Sequence, residues 1–470
     1  MMLKDILHDI EIIRKYPLRY IAQVVIQAET PLSISTGEKD ILTDSTIVTD
    51  ANGLPMIYGT SLAGVLRHSL QERGMDVDSI FGYQNDRTNE GEGSRLIVSN
   101  AHFVDKNSNV IEGLCPVDWN DEFLGKFKEL PVRQHAKIWH TGAVNKQEHG
   151  KFDEQVVYKG TRFKFELELV GDNSDRQNWI QLLKQFSALD FRIGGGSRKG
   201  FGKLEIVSIQ VKEFDLESKL EDYMEKTSSL NCSLGTENVK LTYQDEDKRS
   251  WISFILKIEP DDFWMFGSGF GDSDVDMTPV FEEEIIWKTA GPEFSEKLIL
   301  IPTSSIKGAI SHRVAYHYNR LTDNYADGKS KAELEQLVGE KNTAVKSLFG
   351  CSKENEKGNR GNVLFTDLYL KMDENKMPKI INHVAIDRFT GGAINGALFD
   401  EKVIFQKNIP KLELLVKKNA LEDDKVQESL HNTLNDICNG MLPLGGGVMR
   451  GHGCFTGKVY KNGVEVTNGR

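Results

Sequence analysis

Residues 194–202 read GGGSRKGFG, and residues 445–453 repeat the pattern as GGGVMRGHG. Five glycines recur at matching offsets, and a basic residue, Lys199 or Arg450, precedes the fourth glycine of each copy. Glycine permits positive φ and lets backbone come close to a neighbouring group, so a fixed set of five indicates a shaped loop. The recurrence predicts that the chain contains two copies of one folding unit.

Other segments repeat in the same order. FDEQV at 152–156 returns as FDEKV at 399–403, and TSLAG at 60–64 returns as SSIKG at 304–308. Blocks that recur in one order are not expected by chance, so we interpret the chain as a tandem duplication. The predicted organisation comprises an N-terminal helix at 1–16, unit 1 at 17–217, a polar linker at 218–248 and unit 2 at 249–470.

Each unit has the pattern of an α+β domain. Residues 20–26 and 251–258 are rich in β-branched and aromatic residues, which is typical of strands. Apolar residues at helical spacing follow in both units, and a Thr/Ser cap is predicted to open each helix. Residues 163–169 alternate apolar and polar, which predicts a half-buried strand. The order strand, helix, strands, helix, strand predicts two tandem ferredoxin-like (RRM-like) domains.

Composition limits the class of protein. The chain has 470 residues and a formal net charge of −12, and it lacks a run of about 18 apolar residues that would cross a membrane. Its five cysteines are scattered without CxxC spacing, which favours reduced thiols in a cytoplasmic protein. The acidic balance argues against a generic polyanion binder, but it allows a basic groove on an acidic body.

The helix start, an FG pair and the Gly-rich loop together resemble the RAMP superfamily of CRISPR systems. More narrowly, DSTIVTD at 44–50 followed by LPMIYGTSLAG at 54–64 is similar to the backbone subunit of type III effector complexes. Two units in one chain resemble the double-backbone fusion of type III-D-like systems. The resemblance implies that guide CRISPR RNA, complementary target RNA and other effector subunits are the partners, with no membrane involved.

In that subunit an Asp at this position cuts the target RNA, so the resemblance implies that Asp44 and Asp276 are catalytic in a metal-dependent endoribonuclease. Both lie seven residues after a glycine. A single carboxylate suffices if the RNA supplies its own 2′-hydroxyl as nucleophile, and it would hold Mg²⁺ or Mn²⁺ or accept a proton. Asp40, Asp272 and Asp274 are secondary acidic candidates.

The RNA-binding prediction covers the Gly-rich loops, as phosphate cradles, and the helix starts, whose free N–H groups and positive dipole end suit a phosphate. Its residues are Ser61, Arg67, His68, Arg192, Gly194, Gly195, Gly196, Arg198, Lys199, Lys203, Ser304, Lys307, Arg313, Gly445, Gly446, Gly447, Arg450 and His452. The resemblance further implies a thumb hairpin in each unit that kinks the duplex. We expect the thumbs at 135–152 and 383–399, with His135, His140, His383 and Arg388 as their polar residues.

Other functions remain open at this point. The chain could be a guide-RNA scaffold with one or both units inactive, or a guide-processing endoribonuclease that uses His or Tyr chemistry. A general RRM-type protein would need an RNP-like pattern of exposed aromatic residues, which the sequence lacks. A zinc site at His135, His140, His149 and Cys115 is disfavoured, because the spacing matches no standard motif.

Overall fold

The computed structural model describes residues 15–39, 43–85, 90–139, 142, 144, 150–241, 250–352, 358–409 and 411–466. The predicted N-terminal helix at 1–16 therefore lies almost wholly outside the described residues, as do Asp40 and His140. The main elements of unit 1 are β1 (Leu18–Ala28), α1 (Gly59–Glu72), β2 (Leu96–Val98), β3 (Val132–Ala136), β4 (Lys151–Gln155), β5 (Arg162–Gly171), α2 (Arg176–Lys184) and β6 (Leu204–Asp215).

Unit 2 repeats this order. Its main elements are β7 (Trp251–Pro260), α3 (Thr303–Leu321), β8 (Val363–Phe365), β9 (Lys379–Ile386), β10 (Ala393–Val403), β11 (Leu412–Lys417), α4 (Asp424–Cys438) and β12 (Phe455–Lys461). Shorter elements include the helices Asp78–Phe81, Leu220–Met224, Lys331–Glu335 and Thr343–Phe349, and the strands Tyr83–Asn85, Glu90–Glu92, His102–Phe103, Phe281–Glu282, Ile285–Lys288, Gly291–Phe294, Leu298–Ile301, Gly350–Cys351, Asn359–Arg360, Leu368–Leu370 and Val464–Glu465.

The two main sheets have the same topology. The strand order is β2-β5-β1-β6 in unit 1 and β8-β11-β7-β12 in unit 2, with antiparallel neighbours throughout. In both sheets the first strand lies between the third and the fourth, which is the ferredoxin-like arrangement. The predicted α+β, ferredoxin-like fold is therefore confirmed, and β3–β4 and β9–β10 form the two inserted hairpins.

Hydrophobic patterning positions the helices on one face of each sheet. Along β5 the side chains alternate between buried and half-buried, as the sequence predicted. Leu62, Leu66 and Leu70 of α1 are buried in the core of unit 1. Ile306 and Ile310 of α3 occupy the corresponding place in unit 2. Each unit thus buries its own core, and the functional segments extend from it.

The predicted Thr/Ser caps are wrong. The first residues of α1 and α3 are Gly59 and Thr303, so the hydroxyl residues lie inside the first turn, and neither helix has a cap bond from its own N-cap side chain. Instead, Gly59 N–H donates to Asn100 Oδ1 at 2.9 Å and Thr303 N–H donates to Asp367 Oδ1 at 2.8 Å. A residue that follows β2 or β8 therefore satisfies the helix end, which no local sequence rule reveals.

Residues 218–241 pack on the outer face of the unit 1 sheet. Leu234 contacts the buried Ile21 and Phe214, and Lys226 Nζ lies 2.7 Å from Glu166 Oε1. This coverage removes the open sheet face on which an RRM-type protein stacks bases. In unit 2 the corresponding face is exposed at Lys257.

The two units meet along the β3–β4 hairpin. Arg133 of β3 is buried and forms ion pairs with Glu282 and Asp367 of unit 2. Elsewhere Trp287 Nε1 donates to the carbonyl oxygen of Gly160 at 2.7 Å. A buried charge requires compensation, so this ionic contact holds the hairpin of unit 1 in one position against unit 2.

Candidate nucleic-acid interface

Asp44 lies beside the strand β4 of the first hairpin. Its Oδ2 accepts the amide N–H of Asp153 at 3.3 Å, and its Oδ1 lies 3.2 Å from Lys39 Nζ. Ser45 forms a parallel bridge with Glu154, which aligns the Asp44 segment with the hairpin. The Asp44 side chain is 42% exposed, so it lies at the protein surface.

Asp276 has the same position in unit 2. Its N–H donates to Asp400 Oδ1 at 2.8 Å, and its Oδ2 accepts the N–H of Asp400 at 3.2 Å. Met277 forms the parallel bridge that Ser45 forms in unit 1. The structure thus places an Asp–Asp pair in each unit. Asp153 and Asp400 were missed as site residues, although the repeated FDE motif contained the signal.

A buried glutamate stands behind each pair. Glu154 Oε1 lies 2.7 Å from His135 Nε2, and Glu401 Oε1 lies 2.8 Å from His383 Nε2. Burial disfavours ionised Glu154, but its interactions with His135, Lys199 and Ser33 together outweigh burial and lower the pKa of the carboxyl group. Burial opposes ionisation of Glu401 as well, and the hydrogen bonds from Arg450, His383 and His452 together lower its pKa. His135 and His383, which were predicted to be polar residues of RNA-facing thumbs, therefore contact the buried glutamates of the hairpins.

An aromatic ring connects each hairpin with its Gly-rich loop. His135 stacks on Phe152 at 4.9 Å between ring centroids, and His383 stacks on Phe399 at 4.7 Å. Lys199 Nζ lies 5.0 Å from the Phe152 ring centroid. In unit 2, Arg450 takes this role at 5.3 Å from Phe399 and also pairs with Glu401 at 2.7 Å. The folded chain thereby assembles the Asp segment, the thumb and the basic loop residue into one site per unit.

Two of the secondary acidic candidates, Asp272 and Asp274, belong to an ion-pair cluster. Lys402 Nζ lies 2.5 Å from Asp272 Oδ2 and 3.0 Å from Asp274 Oδ2, and the bond from Lys402 lowers the pKa of Asp272. Within the described ranges there is no group of three or more His, Cys, Asp or Glu that could hold a metal. The donor set at Asp44 or Asp276 is therefore a carboxylate pair. Mg²⁺ binds proteins through one or two carboxylates together with substrate phosphates, so the residues fit such an ion.

Several backbone amides of the Gly-rich loops, which were predicted to bind phosphate, instead donate hydrogen bonds within the protein. Gly195 N–H donates to the carbonyl of Ser33 at 2.6 Å, and Gly446 N–H donates to that of Met265 at 2.7 Å. The amide of Lys199 donates within its own loop at 2.6 Å. These three amides are therefore used within the fold, and the basic side chains of the loops are further candidates to meet a phosphate.

Two predicted RNA-binding residues are buried between the units. Arg192 donates to Thr366 Oγ1 at 3.3 Å, and Arg198, 9% exposed, donates to the carbonyl of Gly361 at 2.7 Å. Burial lowers the pKa of Arg198 to about 9 and that of Arg192 to about 10. Direct contact of either guanidinium with RNA is not supported by this burial.

The junction of the units nevertheless concentrates positive charge. Lys307, on the second turn of α3, has its pKa lowered to about 8 by burial and by the neighbouring charges of Lys199 and Arg198. The first turn of α3, which includes Ser304, adds the positive end of a helix dipole. An anion placed here would relieve the mutual repulsion of three cations on a chain whose net charge is −12. This is the local basic site that composition left open.

The remaining predicted RNA contacts form ion pairs within the protein. Arg67 pairs with Asp78 at 2.7 Å, His68 with Glu72 at 3.3 Å, Arg313 with Asp436 at 2.5 Å and Lys203 with Glu29 at 2.5 Å. His452 is buried 3.1 Å from Glu401. Ser61 is half-buried in the first turn of α1, and Arg388 is exposed at the tip of the β9–β10 hairpin. Their contact with RNA stays a prediction.

Comparison with known proteins gives a family. The model of the RAMP superfamily matches residues 25–205 and 257–456, which covers most of the chain and falls once in each unit. No curated protein matches the chain. Along the described residues, none of the helices combines the length and the apolarity needed to cross a membrane. The chain therefore belongs to the RAMP superfamily, as a CRISPR-associated RNA-binding protein with two tandem units.

Proposed function

We propose that this protein is a backbone subunit of a type III CRISPR effector, that it binds guide RNA along both units and that it cuts complementary target RNA at Asp44 and at Asp276. One observation carries the proposal: in both units an Asp lies against the Asp-bearing strand of a thumb hairpin, next to a stacked basic residue and aromatic ring. The arrangement brings an acidic group close to a place where cations favour a nucleic-acid backbone.

The proposed cleavage needs few protein groups, because the RNA supplies its own nucleophile. The 2′-hydroxyl of the target attacks the adjacent phosphorus, the bond to the 5′-oxygen breaks, and the leaving 5′-oxygen takes a proton from water. The products are a 2′,3′-cyclic phosphate and a 5′-hydroxyl. Asp44 or Asp276 would accept the proton of the 2′-hydroxyl or hold a divalent ion. Bound Mg²⁺ or Mn²⁺ would stabilise negative charge on the phosphate. The thumb hairpins would kink the duplex so that the attacking oxygen lines up with the bond that breaks.

The guide RNA would follow the basic side of the units. Lys199, Lys307 and the first turn of α3 offer charge and a helix N-terminus for one backbone phosphate at the junction. In unit 2, Arg450 is the corresponding loop cation. Other subunits of the effector would extend this path beyond the chain.

A one-site form of this function is the second candidate. In unit 2 the Asp400 carboxylate already accepts the N–H of Asp276 at 2.8 Å. A divalent ion held between the carboxylates of Asp276 and Asp400 would have to displace this hydrogen bond. If that cost is too high, unit 2 serves as a guide-RNA scaffold and unit 1 alone cleaves.

The test compares isosteric variants in the assembled complex. Asp44→Asn, Asp276→Asn and the double variant are loaded with guide RNA and given labelled complementary RNA. Asn keeps the hydrogen bond to the thumb but not the charge, so we expect each single variant to lose one cleavage product by at least about 100-fold. Asp274→Asn, an exposed acid in the same loop as Asp276, is the matched control and keeps both products.

The outcomes separate the candidates. Loss of all cleavage in Asp44→Asn, with no change in Asp276→Asn, establishes the one-site form. Unchanged cleavage by the double variant contradicts the catalytic assignment of both residues. Target binding without cleavage in the wild-type complex identifies a scaffold.

A further inference from the structure

The contact between the two units is head-to-tail, so each unit has one end that the other does not cover. Unit 1 presents its Gly-rich loop and hairpin, and unit 2 receives them around Asp367 and Gly361. Such a heterologous interface uses two different patches. The loop-and-hairpin patch of unit 2 and the receiving patch of unit 1 are therefore the two ends of the chain's own stack.

The uncovered patch of unit 2 includes the counterparts of residues that are buried against unit 2 in unit 1. Arg198 is 9% exposed, but its counterpart Met449 is 96% exposed. A Cβ built on Gly200 would overlap Asp367 and Thr303 of unit 2, whereas among the described residues a Cβ on Gly451 meets no atom within 4 Å. The positions of unit 2 that correspond to the unit 1 contacts of Arg133, Arg198 and Gly200 are Ile381, Met449 and Gly451, and we call them the distal surface.

The chemistry of the distal surface differs from that of its counterpart. Arg133 aligns with Ile381, since each pairs in register with the glutamate of the FDE motif, Glu154 or Glu401. Met449 stands where the loop of unit 1 has Arg198. The two cations that bind unit 2 are thus replaced by apolar side chains. An acidic receiving patch like that of unit 2 would not match Ile381 and Met449. Its carboxylates would be buried against apolar side chains, with no cation to compensate their charge.

The receiving patch of unit 1, which unit 2 does not cover, is also a poor match. Asn100 takes the place of Asp367 there, and the counterpart of Gly361 is Ser94, two residues after the exposed Glu92. Ile97 is exposed in this patch, but docking of Met449 would also desolvate the Glu92 carboxylate. Stacking of a second copy onto the first is therefore opposed by the same rule that opposes an acidic partner.

We propose that the distal surface of unit 2 docks a different protein subunit, whose receiving patch is apolar where unit 2 has Asp367 and Glu282, with Met449 at the centre of the contact. Isolated exposed apolar residues are common, but this patch coincides with an interface that the other unit already uses. Exposed methionine also adapts well to a partner surface. The inference concerns assembly, and it stands whether or not Asp44 or Asp276 cleaves RNA.

A site-specific crosslink tests the partner's identity. The full chain with benzoylphenylalanine at position 449 is assembled with guide RNA and the remaining subunits of its effector, then irradiated. We expect a crosslink to a protein subunit other than this chain. A crosslink to RNA, a crosslink to a second copy or no crosslink at 449 would each overturn the proposal. Met224, an exposed methionine on residues 218–241, is the matched control position.

A substitution tests the chemistry. Met449→Glu should weaken retention of that subunit by at least about tenfold, as expected for a central interface residue, while the melting temperature of the free chain is unchanged because the side chain is exposed. Met224→Glu should retain the subunit. Wild-type retention by Met449→Glu, or equal loss in both variants, contradicts the docking surface.

Discussion

The Gly-rich loops of the two units share their fold and differ in their surroundings. In unit 1 the loop is pressed against unit 2, with Arg198 buried and Gly200 in contact with Asp367 and Thr303. In unit 2 the loop carries Met449 in the open. The same loop thus forms part of the contact between the units in one copy and is exposed in the other. The comparison shows that one loop position, Arg198 in unit 1 and Met449 in unit 2, differs in residue type where only one copy contacts a neighbouring unit.

The largest effect on stability is expected from substitution of Arg133, which forms the buried ion pairs between the two units. Arg133→Ala leaves Glu282 and Asp367 buried without their cation, which should lower the free energy of unfolding by about 3–5 kcal/mol in urea denaturation. Ile381→Ala, the matched change on the distal surface, should cost no more than about 1 kcal/mol.

Neutralisation of the carboxylates that Arg133→Ala leaves without a cation provides the control for this prediction. Addition of Glu282→Gln and Asp367→Asn to Arg133→Ala should recover part of the lost stability, because the buried carboxylates are then neutral. Equal losses for Arg133→Ala and Ile381→Ala would mean that the ionic contact does not hold the units together.

Substitution of Gly200 or of its counterpart Gly451 by Ala should have an intermediate effect on stability. Both have positive φ, +109° at Gly200 and +89° at Gly451, so Ala is strained at either position. At Gly451 the cost should be about 1 kcal/mol, from backbone strain alone. At Gly200 the added methyl also overlaps unit 2, which should bring the total to about 2–4 kcal/mol. Thermal unfolding of the two variants side by side measures the difference, and equal shifts would show that the loop of unit 1 is as free as that of unit 2.

The smallest effect is expected from Lys307, at the junction of the two units. The corresponding residue at the helix start of unit 1 is Ala63. The pKa of Lys307 is lowered to about 8 in the folded chain, so the protonated lysine that a phosphate binds is lost as pH rises through 8. Between pH 7 and pH 9 the protonated fraction falls about tenfold, and guide-RNA affinity should fall with it by up to that factor. Fluorescence anisotropy of labelled guide RNA across this range makes the measurement.

Two variants at this position check the cause. Lys307→Arg keeps its charge and should flatten the pH profile, whereas Lys307→Gln should bind weakly at both pH values. Because the folded pKa lies below the unfolded value, the charged lysine costs the free chain stability, in full below pH 8 and not at all above the unfolded pKa. Lys307→Gln should therefore raise the melting temperature at pH 7 while it lowers affinity. A fall in both would indicate a purely structural role.

Much of the fold could be predicted from local sequence. The alternation at 163–169 and the helical spacing of Leu62, Leu66 and Leu70 report which face of an element meets the core, because burial repeats with the period of the backbone. The helix caps could not be predicted in this way. Asn100 and Asp367 reach Gly59 and Thr303 from a distant strand end, and their position depends on the completed sheet.

The candidate site was predictable in its parts but not in its assembly. The repeated FDE motif and the repeated Asp segments are visible in the sequence, yet only the parallel bridges of Ser45 and Met277 place the Asp residues beside the hairpins. The fate of Arg192 and Arg198 was predicted incorrectly for a related reason. A basic residue in a Gly-rich loop has the same sequence signature on a surface and in an interface, and burial alone separates the two.

The sequence by itself determined the duplication, the ferredoxin-like order of elements in each unit and the residue types available for chemistry, since hydrophobic period and glycine spacing are local properties. Only the tertiary structure decided which copy of the Gly-rich loop is buried, which acids pair and where positive charge gathers on an acidic chain. Those outcomes depend on contacts between segments far apart in sequence. Their free energies come from desolvation and charge pairing, which exist only after the two units have packed.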